Sequence, residues 1–174
     1  MKYLQKQECS FPTTLFIKEI NKLMYKSKDI YVLKLDISKY FYNINHEILM
    51  EMVMEKIKDK KALCLLKEIL DTTNKSYVNK EIREVIYKEK ERVKILNISK
   101  EEKKKLYSEL DKIPTYRKGY GLPIGNMSSQ ILAVFFLNKV DHFIKEVLKC
   151  KNYIRYMDDL VIVDIDYDKL KEYK

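Results

Sequence analysis

Tyr153-Ile154-Arg155-Tyr156-Met157-Asp158-Asp159-Leu160-Val161-Ile162-Val163 sets an adjacent pair of aspartates between two runs of apolar and β-branched residues. The pattern predicts two short strands joined by a tight turn, with both carboxylates at its tip. Two carboxylates so close repel each other, so the arrangement is costly unless something doubly positive stands in front of them. A divalent metal ion meets that need. Oxygen ligands with no His or Cys cluster nearby point to a hard cation such as Mg²⁺, which takes one or two carboxylates and leaves its other positions to water and phosphate.

A metal that works on phosphate usually needs a third ligand. In Ile30-Tyr31-Val32-Leu33-Lys34-Leu35-Asp36 an acidic residue closes an apolar strand. Period-2 alternation puts Asp36 on the face opposite Leu33 and Leu35, so if the leucines enter the core, Asp36 faces the site. Lys34 shares the Asp36 face, where it can offset the carboxylates or touch phosphate. Arg155, beside the aspartate pair, points the other way from its strand neighbours. Taken singly, an Asp-Asp pair between strands is more often a solvated turn, and a strand-end Asp a cap. Their conjunction with a third segment changes the balance.

That segment is Gly119-Tyr120-Gly121-Leu122-Pro123-Ile124-Gly125-Asn126-Met127-Ser128-Ser129-Gln130, and it holds all three glycines of the chain. Glycine supplies permissive backbone and close approach to a ligand. Asn126 or Ser128 can cap a helix running to about Lys149, with Leu132, Phe136, Val140, Phe143 and Val147 on one buried face. A glycine loop feeding a helix N-terminus suits phosphates or a nucleotide, although a plain junction would look similar.

Asp36-Ile37-Ser38-Lys39-Tyr40-Phe41, Gly121-Leu122-Pro123-Ile124-Gly125 and Tyr156-Met157-Asp158-Asp159 together resemble motifs A, B and C of reverse transcriptases, in order. Ile124-Gly125-Asn126-Met127-Ser128-Ser129-Gln130 further resembles the Ile-Gly-x-x-x-Ser-Gln signature of diversity-generating retroelement enzymes. Group II intron and retron enzymes, the alternatives, usually carry Gln where this chain has Ile124.

The resemblance implies an α+β polymerase palm, a split βαβ antiparallel sheet with helices packed on one face, together with partial fingers. It implies an RNA-directed DNA polymerase in which Asp36, Asp158 and Asp159 are catalytic. Asp36 and Asp158 would bridge two Mg²⁺ ions, with Mn²⁺ a possible substitute, while Asp159 and the Ile37 carbonyl complete the shell and Tyr156 and Met157 support the motif C turn. Phe41 would lie beneath the sugar of the incoming nucleotide and exclude a 2′-hydroxyl. Ile124, Gly125 and Gln130 would face the nucleotide, and Ile124, apolar where others have Gln, is where error-prone copying of template adenines would arise. Lys34, Arg117 and Lys118 are candidate nucleic-acid contacts. The implied partners are an RNA template, a DNA or RNA primer, deoxynucleoside triphosphates and an accessory protein.

The rest of the chain fits one domain over residues 1–174, with 46% hydrophobic residues for a core. No run is apolar for long enough to span a membrane and the N-terminus lacks a signal-peptide pattern, so a cytoplasmic protein with no membrane partner is expected. Cys9, Cys64 and Cys150 are too few and too scattered for a disulfide framework or a zinc site. A formal charge of +9 favours a polyanionic partner. Lysine-rich surfaces also merely solubilise, and an AT-rich genome would give the same bias.

Residues 1–12 read as irregular. Thr13 or Thr14 can cap a helix with Phe16, Ile20, Leu23 and Met24 on one face, and Asn45 a helix burying Ile48, Leu49, Met52 and Val53. A further helix carries Leu63, Leu66, Ile69 and Leu70. Residues 72–118 read as a basic helical insert between motifs A and B, with a capping box at Ser99 and Glu102. Its alternating charges suit a solvated helical face, and a template-contacting surface is the rival reading. His46 and His142, without ligand spacing, read as surface or capping residues.

Only 35 residues precede Asp36 and 15 follow Asp159. That is short of complete fingers and thumb, so a fragment, or a short chain working with a partner, is expected. A palm-fold RNA-binding or regulatory module is the alternative function, although a decayed site has no reason to keep three aspartates. A palm-fold nucleotide cyclase lacks its Gly-Gly-Asp signature here.

Overall fold

The computed structural model describes residues 13–27 and 29–173, with side chains from Ile17 onward. The readings on residues 1–12, Cys9 and the Phe16 side chain lie outside the described residues. In chain order, helix α1 (Thr13–Lys26) leads to strand β1 (Tyr31–Asp36), and a helical turn at Tyr40–Asn43 leads to α2 (His46–Lys56) and α3 (Lys60–Asp71). Helices α4 (Ser76–Ile95) and α5 (Lys100–Asp111) follow, then the glycine segment and α6 (Met127–Phe136). The chain ends with α7 (Asn138–His142), a π-helical turn (Phe143–Val147), strands β2 (Tyr153–Tyr156) and β3 (Asp159–Asp164), and α8 (Tyr167–Glu172). Residues up to Ser38 join those from Gln130 onward in one compact unit, and Lys39–Ser129 form the other.

The first unit is built on a three-stranded antiparallel sheet in the order β1-β3-β2. Cross-strand partners share a face, so the register Leu33↔Ile162 and Leu35↔Leu160 puts those four side chains together. They pack with Tyr153, Ile144, Leu148, Cys150, Leu170 and Tyr173 into one apolar cluster. Helices therefore cover one face. The opposite face carries Lys34, Asp36 and Asp159, as alternation from the leucines requires. This is the palm-type arrangement the sequence suggested, with the strand starting at Tyr31 rather than Ile30.

The expected single helix to Lys149 is corrected. The segment breaks at Leu137, resumes as α7 and widens into a π turn, which takes more residues per turn and rotates every later position. The buried line, set before the π turn begins, runs Ala133, Leu137, Asp141, Ile144, with Leu132 buried beside it as expected, while Val140, Phe143 (51% exposed) and Val147 (64%) face outward. An aspartate in the buried line hid it from a search for apolar stripes. In α1, Ile20 and Leu23 are half-buried but Met24 is exposed, off the packed face.

In the second unit, Asn45 caps α2 as read, its Oδ1 accepting from the Ile48 N–H at 3.0 Å. The buried line of α2 runs His46, Leu49, Met52, Val53, so Ile48 is left exposed and His46, read as a surface or capping residue, is buried. Asp59 caps α3 by accepting from Lys61 and Ala62. Helix α3 buries Leu70 and half-buries Leu63, Leu66 and Ile69. Helices α4 and α5 form a hairpin. Its Ser99–Glu102 capping box is formed in both directions, and Lys103 Nζ donates to the Lys94 carbonyl at 2.8 Å. The Lys90–Asp111 ion pair ties the two helices together.

Candidate active site

The β2–β3 hairpin turns on Met157 and Asp158, with Tyr156 paired to Asp159. Met157 has φ 53, in the left-handed region that a non-glycine side chain enters at a cost. Asp159 is the first residue of the central strand and stands opposite Asp36 across the β1–β3 pair. Directly opposed residues on antiparallel strands lie about 4.5–5.5 Å apart at Cα. Like charges so placed repel, and Lys34, on the same face, brings its Nζ to 3.1 Å from Asp159 Oδ1. Asp36, Asp159 and Lys34 lie on one sheet face, Lys34 and Asp36 sharing it as alternation predicts, and it is Asp159 rather than Asp158 that stands opposite Asp36. Asp158 occupies the turn itself, half-buried. Tyr156 is exposed beside Asp159, and the Ile37 side chain packs against the apolar cluster.

The donors here are carboxylate oxygens on the sheet face opposite the apolar cluster, with a carbonyl-bearing strand end, which fits a hard divalent cation in kind. Among the described residues no three His, Cys, Asp or Glu side chains converge as a ready-made metal cluster. The arrangement is a pair, Asp36 with Asp159, plus a third carboxylate in the turn.

Beneath the turn lies a network that the sequence reading missed. Arg155 Nε and Nη2 donate to Asp141 Oδ1 and Oδ2 at 2.8 and 2.6 Å, a two-pronged pair with both side chains only 7% exposed. Arg155 Nη1 donates to the Met157 carbonyl at 2.8 Å and Nη2 to the Val134 carbonyl at 3.2 Å. Tyr153 O–H donates to Asp141 Oδ1 at 2.6 Å, and burial, with that acceptor, keeps the phenol protonated far above its ordinary range. A signal was present: a strand arginine pointing to the helix-covered side needs a carboxylate there, and α7 offers Asp141.

In the second unit the glycine segment is held by polar side chains. The Gly121 carbonyl accepts from His46 Nε2 at 2.6 Å, and the Gly119 N–H donates to Asn74 Oδ1 at 2.7 Å. Asn79 closes a double hydrogen bond with the Tyr116 backbone, both arms at 2.8 Å, and Tyr116 O–H donates to the Leu122 carbonyl at 2.9 Å. Burial, and secondarily the neighbouring Tyr42, raises the Tyr116 phenol above its ordinary value. The glycines differ in purpose. A Cβ on Gly121 would stand 2.5 Å from the Tyr116 ring, whereas Gly125, at φ 101, has nothing within 4 Å.

Phe41 is half-buried with its ring edge-on to Tyr40. Ile124 is 61% exposed. Gln130 and Lys118 are exposed, and Arg117, whose guanidinium lies over the Tyr120 ring at 4.3 Å, donates to Asn43 Oδ1 at 3.1 Å. His142, by contrast with His46, is exposed and pairs with Glu146 at 2.8 Å.

The sequence profile of the family described as reverse transcriptase (RNA-dependent DNA polymerase) matches residues 2–173. The chain belongs to the reverse transcriptase family. No curated protein matches it. Reverse transcriptases as a family are RNA-directed DNA polymerases, nucleotidyltransferases that bind template, primer and nucleotides and generally use divalent metal ions.

Proposed function

We propose that this reverse transcriptase extends a DNA or RNA primer on an RNA template with Asp36, Asp158 and Asp159 as its catalytic carboxylates. The observation that carries the reading is the register Asp36↔Asp159 on the sheet face opposite the apolar cluster, next to the turn that holds Asp158. These carboxylates, with the Ile37 carbonyl, would hold Mg²⁺ or Mn²⁺; bound there, the ions supply positive charge to a primer 3′-hydroxyl, a transferring phosphoryl and a leaving pyrophosphate. The carboxylates offer hard, anionic oxygens, and the sheet keeps two of them opposed. Lys34 offsets their charge before any ligand arrives.

On the same reading Phe41 screens the sugar, Ile124, Gly125 and Gln130 face the nucleotide, and Arg117 and Lys118 touch nucleic acid. The helical stretch 72–118 is an insert between motifs A and B in one catalytic domain of palm and partial fingers. The Ile-Gly-x-x-x-Ser-Gln pattern and the exposed apolar Ile124 favour a diversity-generating retroelement enzyme, one that works in the cytoplasm with an accessory protein. The test is primer extension on poly(rA)/oligo(dT) with Mg²⁺, comparing the chain with its Asp158→Ala, Asp159→Ala variant. Extension by the chain and its loss in the variant are expected. Equal extension by both would overturn the carboxylate assignment, and none by either would overturn activity of this chain alone.

A further inference from the structure

We infer that Arg155 and Asp141 are positioning residues for the acidic turn, a buried charged fork that fixes the Met157-Asp158 bend and thereby the geometry of Asp158 and Asp159. The inference rests on the reading that this turn carries the polymerising carboxylates.

Three observations lead to it. First, the fork cannot touch substrate from where it lies. Arg155 pairs with Leu160 in the register, on the helix-covered side, while Asp159 and Asp36 occupy the other face. Second, the pair is a poor investment if stability is its only purpose. Two charges removed from water cost several kcal/mol, which an apolar pair of similar size avoids, so buried ion pairs are weak evidence for stability. Third, the guanidinium divides its donors in a way that fixes a shape. Two go to Asp141, which Tyr153 O–H also holds, one to the carbonyl of Val134 at the end of α6, and one to the carbonyl of Met157. The last four carbonyls of a helix have no intrahelical partner, so the Val134 contact also satisfies one of these and suits a cation at that end.

Met157 is the residue that most needs holding. It sits at φ 53 without being glycine, a conformation that persists only when its surroundings enforce it. The Arg155 contact restrains its carbonyl, and the planar fork fixes direction as well as distance. A lysine at 155 would keep the charge and lose the fork.

The test separates holding from mere stability. The triple variant Arg155→Met, Asp141→Leu, Tyr153→Phe replaces the network by apolar side chains and leaves no buried charge unpaired, only the Met157 and Val134 carbonyls losing a donor, so it should unfold close to the wild-type temperature. Arg155→Lys is the conservative companion. Backbone ¹⁵N order parameters at Met157 and Asp158 should fall from the rigid range near about 0.85 towards about 0.6 in both variants, with Ile154 and Val161 unchanged. In primer extension kcat should drop on the order of 10- to 100-fold while KM for the deoxynucleotide stays within about two-fold, the pattern of a lost transition-state interaction. A turn as ordered as wild type in the triple variant, or a loosened turn with wild-type kcat, overturns the inference. If the wild-type chain does not extend primers, the polymerase reading fails for it, and the order parameters alone decide whether the fork holds the turn.

Discussion

The Met157-Asp158 turn is held from beneath by a buried guanidinium and carboxylate, whereas the Gly119–Gly125 segment is held by an imidazole, an amide, a threonine hydroxyl and a phenol. The first device fixes a non-glycine residue in a left-handed bend, and the second secures backbone that glycine has already made easy to bend. The difference follows from what each segment presents. The acidic turn puts Met157, with a side chain, in the left-handed region, so its surroundings must enforce the bend. The loop has glycine at its positive-φ positions and needs only its carbonyls and N–H groups satisfied.

Substitutions sharpen that comparison. The largest effect is expected for Gly121→Ala, where the new methyl meets the Tyr116 ring at 2.5 Å and the residue is locked at φ 90; about 3–5 kcal/mol of stability should be lost in chemical denaturation. Gly125→Ala, in open space, should cost only the strain of its positive φ, about 1–2 kcal/mol. If the two cost the same, packing is not what Gly121 serves. His46→Leu comes next. It removes the 2.6 Å donor to the Gly121 carbonyl and leaves Thr73 at 3.5 Å, which should cost about 1–3 kcal/mol by the same assay.

Lys34→Met should hardly change stability, because an exposed ion pair contributes no more than about 1 kcal/mol. It should instead tighten Mn²⁺ binding a few-fold in a titration, since Lys34 and a cation compete for Asp159. Weaker binding would show that the lysine helps to assemble the site. The smallest effect is expected at the far end of β3. Burial pushes the Asp164 carboxyl up, but Lys169 and the backbone N–H groups of Ile165 and Asp166 outweigh it and hold it below the usual range. A carboxylate held low contributes stability above the unfolded value, near about 3.9, and loses it as pH falls through the folded one. Asp164→Asn should therefore unfold slightly more easily at pH 6–7, by about 0.5 kcal/mol, with the gap closing below about pH 4. A gap that persists in acid would point to packing.

What the sequence reading could see was what local rules decide. Alternation along Leu33, Lys34, Leu35, Asp36 assigned the two sheet faces, and side-chain capping at Asn45 and Ser99 marked two helix starts. What it missed depends on partners distant in the chain. His46 is buried because the Gly121 carbonyl, 75 residues on, accepts from it. Asp141 takes a place in an otherwise apolar line because Arg155 compensates its charge and Tyr153 donates a hydrogen bond to it. Searching for apolar periodicity cannot find a buried aspartate, and so it shifted the buried stripe of α7 and the π turn onto Val140, Phe143 and Val147.

The strand order has a consequence for how this protein is made. Asp36 and Asp159 meet only when β1 pairs with β3, which closes a loop of roughly 120 residues at an entropic cost that local pairing avoids. The hairpin of β2 and β3 can form as soon as its own residues are available, on the microsecond scale typical of hairpins. On a ribosome, β1 is therefore synthesised long before its partner and must wait, with an unpaired edge, while the second unit emerges. The opposed acidic pair is among the last features to form, which ties the assembly of the proposed site to the completion of the sheet rather than to the first appearance of its carboxylates.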